Sequence, residues 1–356
     1  MYNQYGVIAQ GDTSAKAACI MEMQTGRVLF AYNMHQKLPM ASTTKVMTAL
    51  LAIERGDLAS PVVCSENAFG VPGTSIYLAQ GETLTLREML LGLMLSSGND
   101  AAVAIAEHIG GSTVQFAQMM NERARAAGAV NTHFTNPHGL PDDRHLTTAY
   151  DLALIAREAM GNETFRSIVS TQRAAIPWEG RAYPRQLTNK NRLLSDYPGA
   201  TGIKTGYTSR AGRCLVFGAQ RGGMELVGVV LGCQDWFAEA ARLMDGCYDT
   251  YSMTDVLGPM QSAGEMPVTD GRESCVGMCL MEPLSVPLAQ GEAAQIVLDV
   301  PQSVAAPVYP GMHLGTASLV VGGSVLGLSE VVASGRVDSS GLLVDVRRVM
   351  AGWPLP

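Results

Sequence analysis

The sequence of 356 residues is poor in lysine and lacks the patterns that mark several classes of site. Only five lysines stand beside twenty arginines, so a lysine inside a motif is more informative here than in an average chain. The seven cysteines form no CxxC pair and the six histidines no HExxH pair, so neither a metal nor a cofactor is expected. The absence of a GxSxG segment argues against the nucleophile of an α/β-hydrolase. No signal peptide is visible, and no apolar run reaches transmembrane length.

The charge and composition are those of an ordered, acidic globular protein. The formal net charge is −7, and 47% of the residues are hydrophobic while 16% are charged. An acidic protein does not attract phosphate backbones, so no nucleic-acid partner is expected. The length is sufficient for two domains with a sizeable core.

Predicted strands stand at both ends of a block whose middle is helical. Residues 16–32 and 214–232 each read as a hairpin of two apolar strands around a glycine-containing turn. Helices are predicted between them, one of which opens with a capping box at residues 85–88. The strands can pair into one antiparallel sheet covered by the helices, which predicts an α+β domain over residues 1–258.

The residue pattern of the sequence changes near residue 262. Short runs rich in Val and Leu alternate there with Pro and Gly turns, and no helical pattern is present. This pattern predicts a small all-β domain over residues 259–356, similar to a sandwich or a barrel.

The first candidate motif is the pair Ser42 and Lys45, which stands at the start of a long apolar run. Residues three apart on a helix share a face, so the lysine is placed to take the serine proton. A buried amine is costly unless it is paired or neutral. Either Lys45 reaches solvent at the first turn, or it is a base.

The second candidate motif is Ser97-Gly98-Asn99, between two predicted helices. Glycine allows a tight turn, and both flanking side chains can then point into a cleft. Ser97 is placed to relay a proton to a leaving amine, and Asn99 to hold a substrate amide. An ordinary helix–helix turn is the alternative.

The third candidate motif is Lys204-Thr205-Gly206, at the predicted edge of the sheet. Gly206 lets a substrate backbone approach closely. Lys204 is a second cation that lowers the pKa of Lys45 and attracts an anionic substrate, while Thr205 offers a hydroxyl to a carboxylate. A surface turn with a solvated lysine is the alternative.

The three motifs occur in the order SxxK, SxN and KTG, a trio found in class A β-lactamases and penicillin-binding proteins. The chain resembles the low-molecular-mass penicillin-binding proteins that act as serine D-alanyl-D-alanine carboxypeptidases. The resemblance covers most of the chain and includes NTHFTNPHGL (131–140), the NRLL run (191–194), GIKTGYTSRAG (202–212) and AAPVYPGMHLG in the tail. It implies removal of the terminal D-alanine from peptidoglycan stem peptides through an acyl-enzyme.

The resemblance also implies a role for each residue of the catalytic group. Ser42 would attack the carbonyl between the two D-alanines, Lys45 would be the base, and Ser97 would pass the proton to the departing D-alanine. The backbone N–H groups of Ser42 and Tyr207 would form the oxyanion hole. Water would then hydrolyse the acyl-serine, and β-lactam antibiotics would act as covalent inhibitors of Ser42.

The same resemblance implies a substrate-binding group. Asn99 would hold the peptide, while Lys204, Thr205 and Thr208 would bind the free carboxylate. Because peptidoglycan lies outside the cytoplasm, the resemblance implies an extracytoplasmic protein, secreted or on the outer face of the membrane. Relatives usually end in an amphipathic membrane-anchoring helix, and the terminal VRRVMAGWPLP is too short for one, so no anchor is visible.

One departure from the family concerns the carboxylate. Many relatives carry an arginine after the second hairpin, whereas here the corresponding stretch holds Trp236 and Glu239, and its first arginine is Arg242. Arg210 or Arg213 can substitute for the missing arginine.

Two other functions remain open from the sequence. A class A-like β-lactamase shares the trio but needs a glutamate after the second motif, and no Glu or Asp lies between Glu122 and Asp142. A catalytically inactive peptidoglycan-binding module is the non-enzymatic alternative, against which the intact trio argues. His138 lies in the NPHGL turn, for which a structural role is predicted.

Overall fold

The computed structural model describes residues 12–341 together with residues 2–3 and 6–7. The terminal VRRVMAGWPLP and most of the N-terminal segment examined for a signal peptide lie outside the described residues. The chain divides into two compact units, one spanning Ile8–Thr250 and the other comprising Met1–Val7 and Tyr251–Pro356. The domain boundary after residue 258 stays a prediction.

The sheet of the first unit has five strands, all antiparallel to their neighbours. The strands up to residue 250 are β1 (Tyr2–Asn3), β2 (Gly6–Val7), β3 (Ala17–Glu22), β4 (Val28–Tyr32), β5 (Pro61–Val63), β6 (Thr83–Thr85), β7 (Arg173–Ile176), β8 (Arg185–Thr188), β9 (Ala200–Thr208), β10 (Gly212–Arg221) and β11 (Met224–Leu231). The order in the sheet is β4-β3-β11-β10-β9. Both predicted hairpins, β3–β4 and β10–β11, are confirmed, and β9 with the KTG motif is an edge strand.

Eight α-helices and one 3-10 turn lie in the described part of this unit. They are the 3-10 turn Ala41–Thr44, α1 (Lys45–Arg55), α2 (Leu86–Leu95), α3 (Asn99–Gly110), α4 (Thr113–Ala126), α5 (Ala149–Met160), α6 (Glu163–Ser170), α7 (Leu193–Asp196) and α8 (Trp236–Thr250). Helix α5 packs on β3 and β11, and α8 packs on β10 and β11. Helices covering an antiparallel sheet confirm the predicted α+β class.

Helix α1 lies at the centre of the helical layer and contacts α2 through α6. Its residues 45–52 are all buried, so its first two turns have no solvent-facing side. The neighbouring helix α2 begins with the predicted capping box, in which Thr85 and Glu88 satisfy each other's backbone N–H groups. Helix α3 ends at Gly110, and the following Gly111 adopts the left-handed conformation that closes many helices.

The second unit is built from strands around its own core. Besides β1 and β2, which belong to this unit, its described strands are β12 (Tyr251–Leu257), β13 (Ser262–Thr269), β14 (Cys275–Leu280), β15 (Leu284–Ala289), β16 (Ala294–Asp299), β17 (Val304–Ala305), β18 (His313–Val321) and β19 (Ser324–Ala333). Six of them form a sheet in the order β16-β18-β19-β14-β13-β17, and β12 pairs with β15. The core includes Val276, Leu280, Val286, Leu319 and Val331. This arrangement confirms the small all-β domain.

No helix among the residues that the structure describes is long and apolar enough to cross a membrane.

Candidate active site

Ser42 and Lys45 meet where the 3-10 turn joins helix α1. The sequence predicts a helix that opens at Ser42, but in the structure α1 begins at Lys45. Ala41 has a φ of 49°, outside the right-handed helical region, so a regular α-helix cannot start before it. The three-residue spacing still places both side chains on one face, and Lys45 Nζ lies 3.2 Å from Ser42 Oγ.

The Lys45 side chain is buried and does not reach solvent. Besides Ser42 Oγ, its Nζ donates to Asn99 Oδ1 at 2.7 Å and to the carbonyl of His138 at 2.9 Å. These three acceptors use the three N–H groups of an ammonium ion, and all are uncharged. In the described chain no carboxylate lies within ion-pair distance of Nζ.

This environment holds the pKa of Lys45 well below its ordinary value. The largest cause is burial, and the positive charges of Lys204 and Lys190 add to it. Asp100 acts in the opposite direction. A lowered pKa increases the share of neutral amine at a given pH, and a base that takes the Ser42 proton must be neutral.

The Ser97-Gly98-Asn99 turn joins α2 to α3 in a constrained conformation. Ser97 has a φ of 64°, which is rare for a residue with a side chain. Its buried hydroxyl oxygen has no hydrogen-bond partner in the described structure. Asn99 is bonded at both ends of its amide, because Oδ1 accepts from Lys45 and Nδ2 donates to the carbonyl of Pro72 at 2.6 Å. The Ser97 hydroxyl is therefore the free polar group of this turn.

A loop before α2, residues 72–78, holds this turn in place. The Asn99 N–H donates to the Thr74 carbonyl at 2.7 Å, and the Thr74 hydroxyl donates to the Ser97 carbonyl at 2.6 Å. The buried carboxylate of Asp100 accepts from the N–H groups of Ile76 and Leu78. Asp100 thus ties the loop to the first turn of α3, directly beside Asn99.

We expect Asp100→Asn to loosen this loop and slow the acylation of Ser42 that the resemblance implies. The amide keeps one acceptor oxygen and turns an NH2 group toward N–H donors, so the free energy of unfolding should fall by about 1.5–3 kcal/mol. Misplacement of Ser97 and Asn99 should slow reaction with benzylpenicillin about tenfold or more. Urea unfolding and the acylation rate test this, with Asp249→Asn on the exposed end of α8 as control. An acylation rate equal to that of the control would contradict the positioning role.

Strand β9 approaches the 3-10 turn very closely. A Cβ added at Gly206 would lie 2.9 Å from the backbone nitrogens of Ser42 and Thr43, so only glycine fits. Lys204 is buried, its Nζ donates to the Thr205 carbonyl at 3.0 Å, and burial with the charge of Lys190 lowers its pKa to about 7. The predicted role of Gly206 toward a substrate stays a prediction.

A cavity of about 240 Å³ opens over these groups. Its lining residues are Ser42, Thr74, Ser97, Lys190, Thr205, Gly206, Tyr207 and Trp236. Five of the eight are predicted from the sequence. Behind these lining residues are the buried side chains of Lys45, Asn99 and Lys204. The Thr208 hydroxyl accepts the N–H of Ala211 in the β9–β10 turn, and its predicted contact with a carboxylate stays a prediction.

The residues that sequence reasoning missed are Thr74, Lys190, Asp100 and the carbonyls of Pro72 and His138. Backbone carbonyls have no sequence signature. Lys190 did have a sequence signature, since it is one of only five lysines and directly precedes the NRLL run. Among the described residues that line the cavity, none is acidic.

The arginines near the site have other partners. Arg210 pairs with Asp143, and Arg242 pairs with Glu239, whose side chain is largely buried. Arg213 donates to the carbonyl of Gln234 at 2.7 Å, with its guanidinium 6.0 Å from the centre of the Trp236 ring.

Comparison with known proteins identifies the family of the chain. The sequence model of the D-alanyl-D-alanine carboxypeptidases, peptidase family S11, matches residues 5–235. The chain belongs to this family. It is 34% identical over 350 residues to the D-alanyl-D-alanine carboxypeptidase DacF of Bacillus subtilis, covering 95% of this chain and 90% of the relative. It is 35% identical over 269 residues to DacB2 of Mycobacterium tuberculosis, covering 73% of this chain and 89% of the relative.

Solved structures agree with the family assignment. Penicillin-binding protein 5 from Haemophilus influenzae superposes with a TM-score of 0.76 at 25% identity, over 92% of this chain and 99% of that one. A peptidoglycan synthesis regulatory factor, PBP3, from Streptococcus pneumoniae shares the fold with a TM-score of 0.79.

The carboxypeptidase family is one of serine peptidases, so this protein is a serine-type hydrolase with D-alanyl-D-alanine carboxypeptidase activity. The resemblance found in the sequence is confirmed. Neither the β-lactamase nor the inactive module is favoured by the relatives, and no carboxylate stands in the described cavity wall where a β-lactamase would need one.

Proposed function

We propose that this protein removes the terminal D-alanine from peptidoglycan stem peptides through an acyl-enzyme on Ser42. The observation that carries the proposal is the buried Lys45 amine, which has no counter-ion among the described residues and lies 3.2 Å from Ser42 Oγ. A lysine with a lowered pKa beside a serine hydroxyl is an activated nucleophile pair.

In the acylation step Ser42 Oγ attacks the carbonyl carbon between the two D-alanines while its proton passes to neutral Lys45. The negative oxygen that forms is stabilised by the backbone N–H groups of Ser42 and Tyr207. When the C–N bond breaks, the proton held by Lys45 passes through the Ser97 hydroxyl to the departing D-alanine amine, so Lys45 is neutral again before deacylation. That hydroxyl is suited to the relay, because it is buried and has no partner in the described structure.

In the second step water attacks the acyl carbon and the bond to Ser42 Oγ breaks. The water proton returns to the serine oxygen through Lys45, which restores the starting state. In this proposal Asn99 holds the peptide, while Thr205, Thr208 and the charge of Lys204 contribute to the site for its carboxylate. Because the substrate is cell-wall peptide, the protein works outside the cytoplasm, either secreted or on the outer face of the cytoplasmic membrane. Trimming of stem peptides there influences cell shape.

The proposal predicts a covalent adduct with benzylpenicillin, a β-lactam that resembles the D-alanyl-D-alanine end. The intact mass of the wild-type protein should rise by the mass of one penicillin and remain raised for hours. Ser42→Ala should show no increase. Release of D-alanine from a stem pentapeptide should occur with the wild type alone.

Each alternative gives a different result in this experiment. A transient adduct with rapid turnover of the drug would favour the β-lactamase. If the wild type forms no adduct and releases no D-alanine, the proposal fails, and the inactive module takes its place.

A further inference from the structure

Lys190 is a cation in the cavity wall with unused donors. It lines the same cavity as Ser42, Ser97 and Thr205. Within the described residues its Nζ makes neither a hydrogen bond nor an ion pair, although its backbone N–H donates to the Leu95 carbonyl at 3.2 Å. An ammonium with three free donors that faces a cavity is available to an anion.

The backbone that carries Lys190 is fixed on both sides. Asn189 donates through Nδ2 to the carbonyls of Val169 and Thr171 at 3.1 and 3.0 Å. The Asn191 N–H donates to Asn189 Oδ1 at 2.9 Å, and the Asn191 side chain is buried. Two asparagines therefore anchor the chain while the lysine between them keeps its side chain free. Rigid support under a free polar group is the arrangement that precise binding requires.

The other two lysines of the site are less suited to hold an anion. Lys45 Nζ has three acceptors of its own, and Lys204 Nζ is buried against the Thr205 carbonyl. The pKa of Lys204 is lowered to about 7, so near neutral pH this side chain is charged only part of the time. Partial desolvation also lowers the pKa of Lys190. Its side chain is nevertheless exposed, unlike the buried side chains of Lys45 and Lys204.

We propose that Lys190 binds the free terminal carboxylate of the peptide that occupies the Ser42 cavity, a proposal that rests on the function proposed above. The D-alanine that leaves is a single residue, and its carboxylate carbon lies about 2.5 Å from the nitrogen of the broken bond. The anion must therefore come close to Ser97, which serves that nitrogen. Lys190 shares the cavity with Ser97 and Thr205 and supplies the charge at this end.

The same charge acts on the catalytic base. Lys190 and Lys204 both lower the pKa of Lys45, while Asp100 raises it. The His138 side chain also lies near Lys45, but its own pKa is lowered to about 3, so it is neutral. Removal of the Lys190 charge leaves Lys204 and Asp100 in place and raises the pKa of Lys45. Because only the neutral amine takes the serine proton, the acidic limb of the acylation rate should then move to higher pH.

The test compares Lys190→Gln and Lys190→Arg with the wild type on two stem pentapeptides, one with a free C-terminal carboxylate and one with a C-terminal amide. The matched control is Lys37→Gln, an exposed lysine outside the cavity lining. Lys190→Gln should reduce kcat/KM for the free acid about tenfold or more, through a raised KM, since charge-assisted hydrogen bonds are about twice as strong as neutral ones. At a pH on the plateau of the pH profile, activity on the amide should change little in Lys190→Gln. Lys190→Arg should recover most of the loss, and Lys37→Gln should behave as the wild type.

Three results would overturn the proposal. An unchanged preference for the acid over the amide in Lys190→Gln would show that this lysine does not bind the carboxylate. An equal loss on both peptides with an unmoved pH limb would assign Lys190 a purely structural role. A wild type that neither cleaves peptide nor reacts with benzylpenicillin would overturn the proposed function and this inference together, whereas the first two results leave the proposed function standing.

Discussion

Lys45→Met should abolish acylation by benzylpenicillin while the protein stays folded. General bases contribute about 10²–10⁴-fold to rate. The loss should reach at least about a thousandfold here, because Lys45 is the only base hydrogen-bonded to Ser42 Oγ within the described part of the chain. Methionine fits the space of a buried lysine without its desolvation cost. It leaves the Asn99 and His138 oxygens without a donor, which should lower the free energy of unfolding by about 1–3 kcal/mol. Mass spectrometry of samples quenched at set times measures the acylation rate, and urea unfolding measures the loss of stability.

Lys45→Arg distinguishes a proton acceptor from a mere positive charge. Arginine keeps its charge but does not give up its proton, so this variant should be as inactive as Lys45→Met. The wild-type acylation rate should rise with pH and then level off as Lys45 becomes neutral. Normal penicillin labelling of Lys45→Arg would remove Lys45 from the role of base.

The sequence was sufficient to predict the three motifs because each joins residue types that carry chemistry with a local backbone signal. SxxK stands at the start of an apolar run, SxN at a glycine turn between helices, and KTG before a strong strand pattern. The structure brings Ser42, Ser97 and Thr205 to one cavity and puts Lys45 behind it. The antiparallel sheet followed from two hairpins, whose strands β3 and β11 are neighbours although they lie far apart in the chain.

What the sequence could not predict depends on backbone atoms and on distant segments. The structural role of His138 in the NPHGL turn stays a prediction, and the sequence of this turn could not show that the His138 carbonyl accepts a hydrogen bond from Lys45. The loop that holds the SxN turn acts through the carbonyls of Pro72 and Thr74. The 3-10 turn at Ser42 differs from the predicted helix because Ala41 is held in a left-handed conformation next to Gly139.

Gly139→Ala should have the second large effect, because the close packing of Gly139 supports both the fold and the position of the Ser42 nucleophile. Gly139 has a φ of 89°, and an added Cβ would lie 1.9 Å from the Ala41 carbonyl oxygen and 2.8 Å from Thr44 Oγ1. Relief of this clash must move either the turn that carries Ser42 or the His138 carbonyl that accepts from Lys45. We expect the free energy of unfolding to fall by about 4 kcal/mol or more, a loss that only a few mechanisms produce.

Gly81→Ala separates the clash from backbone strain. Gly81 has a similar φ of 82°, but an added Cβ would meet nothing within 4 Å. Its substitution should cost only the strain of a left-handed residue, about 1–2 kcal/mol, and leave acylation unchanged. The urea midpoints of both variants and their rates of acylation by benzylpenicillin distinguish the clash from backbone strain. Equal stability losses would mean that the contact between Gly139 and Ala41 is not tight, and the close packing of this turn would then not be what fixes Ser42 against Lys45.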